Sequence, residues 1–222
     1  MTNQSGPNTT ESLQIWLNLP AKNKRAEPGY KMLWREEVPR PVFASEGGAQ
    51  TAVLTVAGQL PGHPSPPSPP PASWAADPAN DVAVWIITMD PGASWVLPAA
   101  THSSVDRALY FFTGDELEVA GTAVRGKHNV FVDAAQETTL RNTGSVAAKI
   151  LMLQGRPIEE PVARYGPFVL NTEAELHQVF RDYHAGKFGV WPFDIDDPVN
   201  KLTDGRFSRT KDGQVSFPPK GQ

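Results

Sequence analysis

Hydrophobic residues along this chain alternate with polar ones in short segments, and Gly, Asp and Asn turns separate the segments at near-regular spacing. That pattern is typical of antiparallel β-structure. Strands are predicted at residues 13–19, 51–57, 81–89, 108–113, 130–132 and 146–153. Residues 81–89 and 146–153 are apolar on both faces, so we expect other structure to cover both sides of these two strands. The pattern predicts an all-β domain, an antiparallel barrel or sandwich.

One helix is predicted after the strands. Thr172 has the position of an N-cap and Glu175 follows three residues later, which is the spacing of a capping box. Gly186 suits the C-terminal end of the helix. The helix is expected to dock on the sheet through an apolar stripe at helical spacing, formed by Leu176, Val179, Phe180 and Tyr183.

A proline-rich segment, 58–81, interrupts the strands. Seven prolines lie within residues 61–71, and that density excludes paired strands and helices. Two interpretations follow, a surface loop insertion and a polyproline ligand for a proline-binding domain.

Changes of composition along the chain predict its domain organisation. Residues 1–12 are expected to form a disordered tail, and residues 13–50 a connector with one strand. Residues 51–190 form the predicted β-domain, with 58–81 as its loop insertion. Residues 191–222 contain few aliphatic side chains and many turn formers, so we predict an irregular C-terminal extension.

Composition and charge exclude several classes of function. The net charge is −4 and the pI is about 5.7, so the chain lacks a basic surplus and we expect no direct nucleic-acid binding. The chain has no cysteine, which excludes disulfides, thiolate ligands and a cysteine nucleophile. No apolar run reaches the length of a membrane span, and the first residues lack a signal-peptide pattern. We therefore expect no membrane partner and a location in the cytoplasm, the nucleus or both.

The middle of the chain carries the spacing of a cupin motif without its metal ligands. The first cupin motif runs Gly, five residues, His, any residue, His, three or four residues, Glu, six residues, Gly. Gly92 and Gly114 match the two glycines. The His positions fall on Pro98 and Ala100, and the Glu position falls on Arg107. The domain therefore resembles a cupin, which is an antiparallel β-barrel of the jelly-roll (double-stranded β-helix) type, with one C-terminal α-helix here.

The second cupin motif is also incomplete. It ends in Pro, any residue, Gly, two residues, His, three residues, Asn, and it falls on Asp133, Ala135, Thr138 and Asn142. Its His position is therefore Thr138. A cupin metal such as Fe(II) needs neutral imidazoles and a carboxylate beside an open coordination position. The resemblance thus implies a degenerate metal site, with no catalytic or cofactor-binding residue.

A displaced metal site is the alternative. His102 lies two residues beyond the second His position, on the same strand face as Pro98 and Ala100, and Asp106 follows it. These two side chains could supply two ligands, although a histidine that hydrogen-bonds a loop carbonyl is the commoner arrangement. We predict no metal in this domain and keep His102 with Asp106 as the displaced candidate pair.

Four further segments resemble the pirin family in residue identity and order: 13–21, 155–158, 160–162 and 165–172. Pirins consist of two cupin domains in tandem, and the resemblance assigns the β-domain of this chain to the C-terminal one. It implies that the family's iron, held by three His and a Glu, belongs to an N-terminal metal-binding cupin domain. We expect that domain to be absent from this chain, which contains no His-any-His pair.

Two functions follow from the resemblance. It implies flavonol (quercetin) 2,3-dioxygenase activity and, in animals, iron-dependent transcriptional co-regulation in the nucleus. We expect this chain to be a non-catalytic binding or regulatory module that takes a protein partner or a small ligand in its barrel. The alternative is a part of an iron-dependent pirin-type quercetin 2,3-dioxygenase.

The segment 13–19 should pair with the first domain of a pirin. Its apolar residues Leu13, Ile15, Leu17 and Leu19 share one face in an extended chain. Without that partner the segment presents an open edge and an apolar face. We therefore expect a homodimer through this edge strand, or poor solubility.

Overall fold

The computed structural model describes residues 5–189, 191, 194, 196, 200–210 and 212–219. Its contacts group the chain into two compact units. Residues 28–158 form the first, which we call the sandwich unit. The described residues from 5 to 27 and from 159 to 219 form the second, the flanking unit. The sequence placed 51–190 in one domain, whereas the structure groups 159–189 with the flanking unit.

Ten antiparallel strands form the sandwich unit. They are β1 (Val42–Ala44), β2 (Gln50–Ala57), β3 (Ala83–Met89), β4 (Ser94–Leu97), β5 (Asp106–Thr113), β6 (Glu116–Val119), β7 (Thr122–Arg125), β8 (His128–Asp133), β9 (Thr138–Arg141) and β10 (Ala148–Gly155). One sheet has the order β1-β2-β3-β10-β5-β8, and the other has the order β4-β9-β6-β7. The pairings of the described strands leave these sheets separate, so the expected jelly-roll barrel takes the form of two sheets around one core.

The hydrophobic core of this unit draws its side chains from both sheets. Buried and half-buried positions alternate along the whole of β3, which places every second side chain in the core. The large side chains with almost no exposure are Ile87, Met89, Leu97, Leu109, Phe111, Leu117, Leu140, Ile150 and Met152. Each contributes roughly 1.5–3 kcal/mol by leaving water. The two strands predicted at 81–89 and 146–153 are confirmed as β3 and β10, which pair with each other.

The region of β7 and β8 differs from the sequence prediction. β7 is a strand that the hydrophobic pattern does not reveal, because its side chains are mostly exposed. The run Gly126-Lys127-His128-Asn129 is typical of a tight turn, but His128 is already the first residue of β8 and pairs with Phe111. The turn itself is shorter, with Gly126 at a φ of 68°.

Asn142 connects the two sheets at the end of β9. Its side-chain amide donates to the Met89 and Val146 carbonyls at 3.0 and 2.9 Å, and its Oδ1 accepts from the Gly144 amide at 3.1 Å. Its main chain exchanges hydrogen bonds with Gly92 and Ala93. Since Asn142 is 1% exposed, these polar groups have no access to water. The asparagine of the second cupin motif therefore has a structural role here.

We expect Asn142→Ala to lower the free energy of unfolding by about 3 kcal/mol, because the buried Met89 carbonyl and the partly buried Val146 carbonyl lose their donor. Asn129→Ala is the matched control, since Asn129 is exposed on β8. Urea unfolding followed by tryptophan fluorescence measures both variants. Equal stability of the two variants would contradict the assigned role.

Asp115 fixes the turn that precedes β10. Its carboxylate accepts hydrogen bonds from the amide and the hydroxyl of Ser145, at 3.0 and 2.9 Å for Oδ2. These bonds, with the amide of Ser145 first, lower the pKa of Asp115 below its ordinary value. A carboxyl group whose pKa is lowered by folding stabilises the fold above its unfolded pKa of about 3.9, and this stabilisation is lost as the pH falls.

The stability difference between the native protein and Asp115→Asn should therefore be largest near neutral pH and should shrink below about pH 4. Thermal unfolding between neutral and acidic pH measures it. Glu137→Gln is the control, because Glu137 is an exposed carboxylate without a hydrogen bond to any described residue. A constant difference across the pH range would show that the Asp115 bonds do not contribute.

The proline-rich segment 58–81, all of which the structure describes, contains no strand and no α-helix, as predicted. Two short 3-10 turns, Trp74–Ala76 and Pro78–Asn80, lie at its end. The Trp74 indole donates to the Arg156 carbonyl at 2.8 Å, and the buried side chain of Asn80 donates to the Trp74 carbonyl at 2.8 Å. Hydrogen bonds therefore attach the end of the insertion to the rest of the sandwich unit. This structure fits a surface loop better than a polyproline ligand.

The flanking unit consists of β11 (Ala163–Tyr165), β12 (Phe168–Leu170), α1 (Glu173–His184), β13 (Ser208–Arg209) and β14 (Val215–Ser216). The capping box at Thr172 and Glu175 is confirmed. Leu176 and Val179 are buried against the β11–β12 hairpin. Tyr183, the last residue of the predicted stripe, is 57% exposed. α1 has 12 residues, and no helix in the described part of the chain is long and apolar enough to cross a membrane.

The structures that the sequence predicts for two segments of the flanking unit differ from those observed. Residues 13–19 do not form the predicted strand, because the structure gives them no strand partner among the described residues. In the predicted irregular extension, 191–222, the described residues form a short 3-10 turn and the β13–β14 hairpin. Asp197 and several of its neighbours lie outside the described residues.

Candidate functional site

Arg107 lies at the polar end of the sandwich core. On β5 the residues at odd positions face inward, so Arg107 belongs to the same row as Leu109 and Phe111. It is 2% exposed. Burying a guanidinium group without hydrogen-bond partners costs far more free energy than the burial of its aliphatic stem gains. The surroundings must therefore supply hydrogen-bond acceptors.

Gln154 and Pro98 supply these acceptors. Gln154 lies directly opposite Arg107 in the β10–β5 ladder. Its Oε1 atom accepts from Nε of Arg107 at 2.9 Å and from Nη2 at 2.5 Å. Nη1 of Arg107 donates to the Pro98 carbonyl at 2.8 Å. The guanidinium group is therefore held on two sides.

Asp81 completes the arrangement from the end of the proline-rich segment. The Gln154 amide donates to Oδ1 of Asp81 and to its carbonyl, both at 3.0 Å. Oδ2 of Asp81 accepts from the amides of Thr101 and His102 at 2.7 and 3.1 Å. Asp81 has a φ of 46°, in the left-handed region. A non-glycine residue in that region is strained, and its hydrogen bonds hold it there.

The carboxylate of Asp81 and the guanidinium of Arg107 are thus linked through the amide of Gln154. Burial lowers the pKa of Arg107, and the negative charge of Asp81 partly offsets that effect. The ordinary pKa of arginine is high enough for the group to stay charged. The site therefore holds a permanent positive charge next to the core.

The structure brings together only some of the degenerate ligand positions. Pro98 contacts Arg107 through its carbonyl. The amide of Ala100 donates to the Ala134 carbonyl at 2.7 Å, and Thr138 is 4% exposed and pairs with Leu97. Pro98 and Ala100 have no ligand atom in their side chains, and a guanidinium cannot bind a cation. The residues present do not fit an iron ion.

The displaced candidate pair is exposed. His102 uses its main-chain amide to bind Asp81, and its side chain is open to solvent. Asp106 is exposed on β5 and lies opposite Asp133 of β8. In the part of the chain that the structure describes, no three or more His, Asp or Glu residues are grouped as metal ligands would be. Among the described residues, His102 and Asp106 therefore do not form a group of three metal ligands.

A shallow cavity of about 380 Å³ lies at this end of the sandwich unit. It is lined by residues 105–107 of the β5 region and residues 131–134 of the β8 region. Phe131, on its wall, is 78% exposed. The cavity combines an aromatic surface, two aspartates and Arg107.

Sequence reasoning missed Gln154 and Asp81. The available signal was the glutamine itself, which follows the apolar run of β10 at an inward-facing position. The sequence alone gave no register between β10 and β5, so Gln154 could not be assigned to Arg107.

The comparisons with known proteins agree with this fold. Residues 84–189 match the family described as Pirin C-terminal cupin domain. The chain is 29% identical over 187 residues to a pirin-like protein of Solanum lycopersicum, covering 83% of this chain and 59% of that protein. It is 31% identical over 185 residues to Pirin-1 of Arabidopsis thaliana, covering 80% of this chain and 58% of that protein.

A crystal structure of a quercetin 2,3-dioxygenase from Acinetobacter baumannii is also similar. The TM-score is 0.63 at 25% sequence identity, and the match covers 78% of this chain and 55% of that chain. Residues 84–189 thus belong to a cupin domain of the pirin C-terminal type, and the chain as a whole is similar to pirins. The chain spans about three fifths of the length of the two plant relatives.

We expect Arg107→Ala to lower the free energy of unfolding by about 2–4 kcal/mol, because acceptors on Gln154 and Pro98 lose their donors in a buried site. Arg125→Ala is the matched control, since its side chain is 79% exposed, and it should change stability much less than Arg107→Ala does. The double variant Arg107→Ala/Gln154→Ala should lose less free energy of unfolding than the two single variants lose together. Strict additivity would contradict the assigned contact.

Proposed function

We propose that the cupin domain of this chain is a non-catalytic binding or regulatory module of the pirin type. The observation that carries the proposal is the buried guanidinium of Arg107, which stands at the position of the glutamate ligand in the cupin motif. The match to the pirin C-terminal cupin domain supports the class of protein, and the chemistry of the residues around Arg107 supports a non-catalytic role.

A metal ion is disfavoured at this position for two separate reasons. Fe(II) needs neutral imidazole and carboxylate donors, and Pro98, Ala100 and Thr138 replace the imidazoles. Arg107 also adds electrostatic repulsion. Two like unit charges about 4 Å apart repel by about 4 kcal/mol at an effective dielectric constant of about 20, and a divalent ion doubles that figure.

An acceptor-bearing ligand suits the site better than a cation. A guanidinium has five N–H groups, and Arg107 uses one each from Nε, Nη1 and Nη2 in its bonds to Gln154 and Pro98. The cavity of about 380 Å³ beside it is within the size range of small-ligand sites. A small neutral ligand with a carbonyl group, or a protein side chain of the same chemistry, is the partner we propose for this module, because Asp106 and Asp133 on the cavity wall repel an anion.

A part in a pirin-type quercetin 2,3-dioxygenase is the second candidate function. Similarity to the Acinetobacter baumannii quercetin 2,3-dioxygenase favours it, although the match covers 55% of that chain. In this alternative the iron is bound by residues other than those around Arg107, and the present domain supports the fold of the catalytic one.

Metal analysis separates the two functions. The protein is produced with added iron, purified without chelators and analysed by mass spectrometry for metals, and its oxygen uptake is followed with quercetin and ferrous iron. We expect about 0.1 iron or less per chain and no oxygen uptake above that of Fe(II) alone. The Acinetobacter baumannii quercetin 2,3-dioxygenase is the positive control for oxygen uptake. Stoichiometric iron with quercetin-dependent oxygen uptake would overturn the proposed module.

A further inference from the structure

An exposed apolar segment, residues 13–17, lies on the surface of the flanking unit. The structure gives residues 13–17 no hydrogen bond to any residue that it describes. Their apolar side chains are exposed, with Trp16 at 60% and Leu17 at 43%. Main-chain donors and acceptors beside apolar side chains form an edge that can pair with another strand.

The segment is nevertheless fixed at its end. The ammonium group of Lys24 donates to Oδ1 of Asn18 at 2.7 Å and to the Leu19 carbonyl at 2.9 Å. The Ala21 amide donates to the carboxylate of Glu160 at 2.6 Å. These bonds position the segment before any partner binds, which reduces the entropy that binding must overcome.

A groove of about 640 Å³ runs beside this segment within the flanking unit. Residues 15–19 line one part of it, and Val162, Pro167 and Val169 line another, with the cationic side chains of Lys24 and Arg164 also on its wall. Val162 is 62% exposed. The groove therefore offers apolar cover to a strand that pairs with the segment.

The sequence of the segment indicates which strand can pair with it in this groove. Residues 13–19 read Leu-Gln-Ile-Trp-Leu-Asn-Leu, which is a palindrome in chemical type around Trp16. In an antiparallel pair of two such segments centred on Trp16, leucine faces leucine, isoleucine faces leucine and glutamine faces asparagine. The segment carries no charge, so no like charges meet. Pro20 ends the pairing, because it has no N–H group.

We propose that two copies of this chain form a dimer in which the segments 13–19 pair antiparallel about a two-fold axis at Trp16. This register pairs all seven residues, whereas an axis at Ile15 or Leu17 pairs fewer and places Trp16 opposite an amide side chain. A shift by one residue would place apolar side chains opposite polar ones. A self-complementary surface is the requirement for a two-fold interface.

Single cysteines test the register, because the native chain has none. Residues directly opposed across an antiparallel pair have Cα atoms about 4.5–5.5 Å apart, which suits a disulfide. Trp16→Cys should therefore form a covalent dimer under mild oxidation. Gln14→Cys is the matched control, since its two copies would lie roughly 14 Å apart. We expect its cross-linking to be at least about tenfold slower.

A second pair of variants keeps the test independent of Trp16. Mixing Ile15→Cys protein with Leu17→Cys protein should give a disulfide-linked heterodimer in preference to either homodimer. Equal cross-linking of Gln14→Cys and Trp16→Cys would overturn the register, and so would homodimers in excess in the mixture.

The association itself is measured by sedimentation velocity of the native protein from about 1 to 100 µM, where a concentration-dependent dimer is expected. Val162→Asp should weaken the dimer at least about tenfold, because it replaces an exposed apolar side chain that would cover the partner strand with a charged one that is costly to bury. Val146→Asp is the matched control, an exposed valine of the sandwich unit at 52% exposure. A native protein that stays monomeric over this range would overturn the proposal, whatever its metal content.

Discussion

The buried charge of Arg107 is the constraint on which the polar end of the sandwich unit depends. A guanidinium inside a protein must have its donors satisfied, and each acceptor of Arg107 comes from a different part of the chain. Gln154 is in the strand paired with β5, and the Pro98 carbonyl is just after β4. Asp81 joins through Gln154 and also holds the amides of Thr101 and His102. One charge thus fixes a strand register and the two connections that border it.

This arrangement also explains how a cupin domain can do without its metal ligands. The polar end of the fold contains inward-facing positions that a metal and its ligands fill in a metal-binding cupin. In this chain a cation that belongs to the protein takes the central position, and an amide and a main-chain carbonyl take the surrounding ones. Under the proposed function, the stability of the domain comes from groups of the chain itself and is independent of the supply of iron.

The sequence predicted local features well and long-range ones poorly. The double-faced strands β3 and β10, the capping box of Thr172 and Glu175, and the replaced ligand positions all follow from spacing. The partner of Arg107 does not, because Gln154 is 47 residues away and only the strand pairing brings it close. Residues 13–19 illustrate the opposite case. Their alternation is that of a strand, but a strand also needs a neighbour, and alternation carries no information about whether one exists.

The flanking unit combines residues before position 28 with residues after position 158, and this order has a consequence during synthesis. The sandwich unit is contiguous, so it can fold as soon as it has left the ribosome. Residues 13–19 emerge earlier, yet Glu160, which anchors the end of their segment, is made more than a hundred residues later. During that interval the apolar side chains of this segment are exposed on the nascent chain. Chaperone binding to the nascent polypeptide should therefore concentrate on this early segment.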